Sequence, residues 1–98
     1  MRLKDRKKYL SRELLENEDD SPGLYEIISD DEDVLYIGAG PLRHMLSEHL
    51  DDGVFRIPEG RYYRTFPVSS GSDLSVLRKT LLDDYIEIRG KRPRYNKS

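Results

Sequence analysis

Apolar residues recur along this chain at two periods, near 3.6 and near 2, and the switches between them predict helix, strand, strand, helix, strand, helix. Leu3, Leu10 and Leu14 fall on one stripe and predict a helix over residues 2–16. Ser21-Pro22-Gly23 ends it. Residues 24–28 and 34–37 are short runs rich in strand formers on either side of a five-residue polar turn, 29–33, so a β-hairpin is expected. Gly38-Ala39-Gly40-Pro41 breaks the second strand, and Pro41 suits the first turn of a helix over 41–50. That helix places Leu42, Met45, Leu46, His49 and Leu50 on one face, and Asp51-Asp52-Gly53 stops it. In the third strand, 61–68, Tyr62, Arg64, Phe66 and Val68 alternate with Arg61, Tyr63 and Thr65, and Pro67 marks its end or a sheet edge. Ser72 or Asp73 is placed to cap a last helix over 73–89 with a stripe of Leu74, Leu77, Leu81, Tyr85 and Ile88, terminated by Gly90.

This order gives an antiparallel hairpin and no βαβ series, hence a small α/β sandwich of the α+β kind that opens with an N-terminal helix. At 98 residues the chain is one folding unit, read as an N-terminal helical extension, 1–20, and a domain, 21–98. With 0 Cys it has no disulfide and no thiolate metal site, which fits a reducing compartment. The charged N-terminus is followed by no signal-like apolar segment, and no run approaches the roughly 18 apolar residues of a membrane span. An intracellular, cytoplasmic protein with no membrane association is expected.

Net charge is −2, but the distribution is uneven. Eleven of the 17 basic residues lie at the two ends, from Arg2 to Arg12 and from Arg89 to Lys97, while acid gathers at 16–20 and 30–33. Two readings fit: ordinary solvated charge blocks, or basic ends that form a phosphate-tracking edge with the acidic loops facing away.

Among residues with chemical capacity, Asp84 sits at the margin of the last helix's apolar stripe. A carboxylate there must be paired, hydrogen-bonded or bound to a hard cation such as Mg²⁺. His49 lies on the apolar face of the second helix, as a satisfied boundary residue or a ligand. Met45, on the same face, fills space in the core. The 7 Tyr outnumber 2 Phe and 0 Trp, and Arg61-Tyr62-Tyr63-Arg64 suits either a half-exposed strand or a stacking surface for nucleic acid. Whether Tyr25 and Tyr36 share a face depends on hairpin register: pairing Ile28 with Val34 in a regular ladder sends them to opposite faces, and a slip of one residue brings them together.

Gly23-Leu24-Tyr25, Tyr36-Ile37-Gly38 beginning 13 residues later, and Pro93-Arg94-Tyr95-Asn96 together resemble the GIY-YIG family of nuclease domains, including those of homing endonucleases. The resemblance covers about residues 22–97. It implies a small three-stranded antiparallel sheet flanked by helices, with the N-terminal helix as an extra outside it, together with divalent-metal-assisted phosphodiester hydrolysis, with Mg²⁺ or Mn²⁺ if the domain is active, and a DNA substrate. By that resemblance Tyr25 is the candidate general base, Tyr36 the second active-site tyrosine, His49 a further catalytic position and Asp84 the metal ligand, with Gly38 and Asn96 supporting the site. The chain departs from the family at two charged positions: Met45 stands where an arginine contacts the scissile phosphate, and Asp84 replaces a glutamate. Loss of such a donor typically lowers rate about 10²- to 10³-fold.

The expected function is therefore a GIY-YIG-like domain with a degenerate active site, weak or inactive as a nuclease, that binds DNA or a protein partner. Arg43, Arg61, Arg64, Arg92 and Arg94 are the candidate DNA contacts. The alternatives are an active metal-dependent endonuclease with an arginine recruited from elsewhere, Arg61 or Arg64, and an adaptor that works through its N-terminal helix. Oligomeric state is open.

Overall fold

The computed structural model describes residues 7–69 and 73–96. The chain runs β1 (Lys8–Tyr9), α1 (Arg12–Leu15), β2 (Pro22–Ile28), β3 (Val34–Pro41), α2 (Leu42–Ser47), β4 (Tyr62–Pro67) and α3 (Leu74–Arg89). The expected antiparallel three-stranded sheet is formed by β2, β3 and β4. A fourth strand, the two-residue β1, pairs with β4 through Lys8 and Tyr63 and through Tyr9 and Tyr62, giving the order β1-β4-β2-β3. The fold is α+β, and among the described residues no helix is long and apolar enough to cross a membrane.

The N-terminus differs most from expectation. Residues 2–6 of the expected helix lie outside the described residues. Of the remainder only Arg12–Leu15 is helical, started by Ser11, whose hydroxyl accepts from the Leu14 amide. Two tertiary contacts outweigh helix propensity here: Tyr9 packs on the Tyr62 ring at 5.1 Å, and the Leu10 amide bonds the Arg61 carbonyl. The buried leucine is Leu15, while Leu14 is 39 % exposed. With β1 in the sheet and Leu15 in the core, residues 7–20 fold as part of the domain.

Strand alternation divides the interior in two. Leu24 and Ile37 face α3, packing with Leu81 and Leu82. Tyr25, Ile27 and Tyr63 face the other way, where α1, α2 and the segment before β4 supply Leu15, Leu42, Leu46 and Ile57. α3 follows its stripe closely: Asp73 caps it by accepting from the Ser75 and Val76 amides, a contact worth about 1 kcal/mol, and Gly90 ends it at a φ of 78°. Ser72 lies outside the described residues. α2 is shorter than expected, ending at Ser47, so His49 and Leu50 belong to the turns that follow.

The free edge of β3 is closed by the C-terminal segment. The Asn96 carboxamide accepts from the Ile37 amide at 2.8 Å and donates to the Ile37 carbonyl at 3.0 Å, while the Tyr95 amide donates to the Leu35 carbonyl at 2.9 Å. Asn96 is buried and spans 59 residues of sequence to do what a neighbouring strand would do. Glu59 holds the same segment from outside, accepting from the Tyr95 hydroxyl and from Arg94.

Candidate functional site

The hairpin register resolves the tyrosine question. Ile28 pairs with Val34, but a bulge follows: Ile27 pairs with Tyr36 and Tyr25 with Gly38, leaving Leu35 unpaired. This one-residue slip puts Tyr25 and Tyr36 on the same face, with ring centroids 6.0 Å apart. Gly38, directly opposite Tyr25, leaves room for the ring: a Cβ there would lie 2.7 Å from Tyr25 Cε1 and closer still to Cζ and Oη.

His49 completes the cluster. Its Nδ1 is 2.9 Å from the Phe55 carbonyl oxygen, which can only accept, so Nδ1 carries the proton. Nε2 then accepts from the Tyr25 hydroxyl, 2.7 Å away. Phe55 closes the group from outside, edge-on to Tyr36 at 5.2 Å and to His49 at 5.1 Å. Tyr25 is 0 % and His49 1 % exposed. Burial and then the neighbouring Tyr36 push the Tyr25 hydroxyl well above the ordinary phenol range, against a weaker opposing pull from the Arg78 guanidinium. A phenol so placed keeps its proton at neutral pH, which works against a general-base role.

Burial also lowers the His49 pKa from 6.5, outweighing the hydrogen bond to Phe55. The unfolded chain therefore takes up a proton that the folded one refuses. His49 stabilises the fold fully above about pH 6.5, and that stability is lost as pH falls through its folded value. Thermal melts should show the parent losing stability between about pH 7.5 and 5.5, and His49→Gln flattening that loss. Parallel profiles for the two proteins would remove His49 from the account.

Other expected site residues lie elsewhere. Asp84 is half-buried on α3, on the far side of the sheet from the tyrosine pair, and no hydrogen bond or ion pair among the described residues includes it. Arg78, not Asp84, is the α3 residue whose charge reaches Tyr25. Among the described residues no three His, Asp or Glu side chains converge as a cation site. Both His49 nitrogens are engaged, so the residues at the tyrosine pair do not form a donor set for a divalent metal. Met45 packs partly buried on the tyrosine side of the core, against Gly40.

The five candidate DNA-binding arginines do not form one surface. Arg43 lines a cleft of about 290 Å³ with Arg12 and Asp20, and Arg61 a recess of about 230 Å³ behind His49. Arg64 turns to the α3 side and pairs with the buried Glu26 at 3.3 Å. Only Arg92 and Arg94 share a cleft. The acidic runs do not face away from the basic N-terminus either: Glu32 takes Lys7, and Glu18 takes Lys8 together with the Tyr63 hydroxyl. Sequence reasoning missed Phe55 and Arg78. Phe55 had a signal, as half of an apolar pair, Val54-Phe55, stranded after Asp51-Asp52-Gly53; Arg78 carried none.

No curated protein matches the chain. Residues 1–66, about two thirds of its length, match the profile of DUF7508, a domain of unknown function, and the chain belongs to that family.

Proposed function

We propose that this is a GIY-YIG-like domain that does not cleave and acts by binding DNA. The observation that carries the reading is the buried Tyr25–His49–Phe55 chain of hydrogen bonds: the tyrosine expected to take a proton has no exposed surface and donates its own to a neutral imidazole. Met45 beside it offers no charge to a phosphate, and the tyrosine pair with Gly38 serves as a packing hub for the hairpin. In this reading the two triads preserve a scaffold, and binding falls to cationic side chains elsewhere.

A supercoiled-plasmid nicking assay in Mg²⁺ or Mn²⁺ tests it. The parent should leave the plasmid intact, and a weak nicking activity gained by Met45→Arg would single out the missing charge. Parent cleavage abolished by both Tyr25→Phe and Asp84→Ala would overturn the reading. One observation favours the active alternative: Arg78 is an arginine from outside the expected positions whose charge reaches Tyr25. If the parent cleaves, Arg78→Ala should remove that activity, whereas Arg61 and Arg64, the arginines expected for that role, should be dispensable.

A further inference from the structure

A cleft lies beyond the C-terminal end of α3. It holds about 420 Å³ between that helix, the start of β3 and the C-terminal segment. Among the described residues, Arg89, Lys91, Arg92 and Arg94 line it with one acid, Asp33. Cations near the end of a helix suit its dipole, and one of them would need no other explanation. Four around one cavity exceed what the helix end requires. The N-terminal cations Lys7, Lys8 and Arg12 each meet a carboxylate, whereas at this cleft Arg94 reaches Glu59 outside it, Arg89 lies 5.8 Å over the Tyr85 ring, and Lys91 enters no ion pair among the described residues.

The cleft is not uniformly polar. Tyr85 presents a half-buried ring within it, and the half-buried Val34 adds an apolar floor. An apolar and aromatic floor with a cationic rim matches one unit of a nucleic-acid strand, its base on the ring and its phosphates among the guanidinium and ammonium groups. A paired base within a duplex cannot enter such a recess, because its faces are covered by its neighbours. A small inorganic anion would use the cations and leave the floor empty.

We infer that this cleft binds single-stranded DNA, a base displacing the Arg89 guanidinium from the Tyr85 ring and the flanking phosphates held by Arg89, Lys91, Arg92 and Arg94. The inference rests on the DNA-binding reading above and adds to it a location and a strand preference. Three or so phosphate contacts on a single strand give a salt slope near −2, so affinity should fall about 15-fold between about 50 and 200 mM salt.

Fluorescence anisotropy with a labelled oligothymidylate and with a duplex of equal length tests this on the full chain. The single strand should bind about tenfold more tightly, with Arg89→Glu and Lys91→Glu, both exposed positions, each weakening it about tenfold. Tyr85→Leu, which keeps an apolar side chain in the α3 stripe, should weaken it at least about fivefold with little change in salt slope. Arg56→Glu, at an exposed position that does not line this cleft, should have no effect. DNA binding that survives Lys91→Glu and Arg89→Glu would discard the cleft while leaving DNA binding itself intact. Equal or tighter duplex binding would overturn the strand assignment. Absence of binding to either DNA at about 50 mM salt would overturn both the cleft and the function it rests on.

Discussion

Gly38→Ala should destabilise the domain by about 3 kcal/mol, lowering Tm by on the order of 15 °C. The added methyl would occupy space already filled by the Tyr25 ring. Long side chains often swing away from such a contact, but Tyr25 is fully buried and its hydroxyl is fixed on His49. Relief would require breaking that bond or shifting β2 against β3. Coupling to Tyr25 separates this cause from a general intolerance of β3: Tyr25→Phe keeps the ring and should not rescue the alanine, whereas Tyr25→Leu, costly alone, should make the same alanine nearly harmless. An additive double-mutant cycle would sink the explanation.

Asn96→Leu should cost a similar amount, about 3 kcal/mol, although the residue lies in no regular element. The leucine is nearly isosteric and would fill the space, so the loss comes from two backbone groups of Ile37 left buried without partners. Asn96→Asp divides the contribution: it retains an acceptor for the Ile37 amide but sets a carboxylate against the Ile37 carbonyl, and should be no better than leucine near neutral pH. Denaturant melts measure the total. Amide exchange gives the local signature, since the Ile37 N–H should lose protection selectively in both variants. A cost below about 0.5 kcal/mol for Asn96→Leu would mean that β3 needs no edge partner.

How much was legible follows from where the determining contacts lie. α3 could be read because its cap, its stripe and its terminal glycine are all local, and Asp73 and Gly90 act as their types predict. The hairpin was legible from its turn, but not the bulge, since Leu35 fits a regular strand as well as an irregular one. The N-terminus misled because three leucines at helical spacing satisfy a period without showing what they touch; Tyr62 and the Arg61 carbonyl decide that segment, half a chain away. At the site, His49 was identified as an apolar-face residue, and its partner Tyr25 as a residue needing neighbours, yet their contact depends on a register that periodicity does not specify. Asp84 lies at a helix margin as expected. A helical wheel cannot say which face of the sheet the helix packs on, and α3 packs on the face away from the tyrosines.

The bulge at Leu35 makes the tyrosine pair a matter of counting as much as of chemistry. Removing the bulge while keeping every residue, so that Leu35 pairs with Ile27, would carry Tyr36 through the sheet to the α3 side, separating two side chains that had not themselves changed; deleting Leu35 outright would instead leave Tyr36 opposite Ile27, still beside Tyr25. Length added to the polar turn at 29–33, outside the bulge, would leave the pair facing. The interval between the two glycine-tyrosine triads is therefore a conformational parameter with a parity. A relative that preserves both triads and the bulge but carries one residue more between Leu35 and Tyr36 would share the sequence motif while presenting its tyrosines to opposite sides of the sheet.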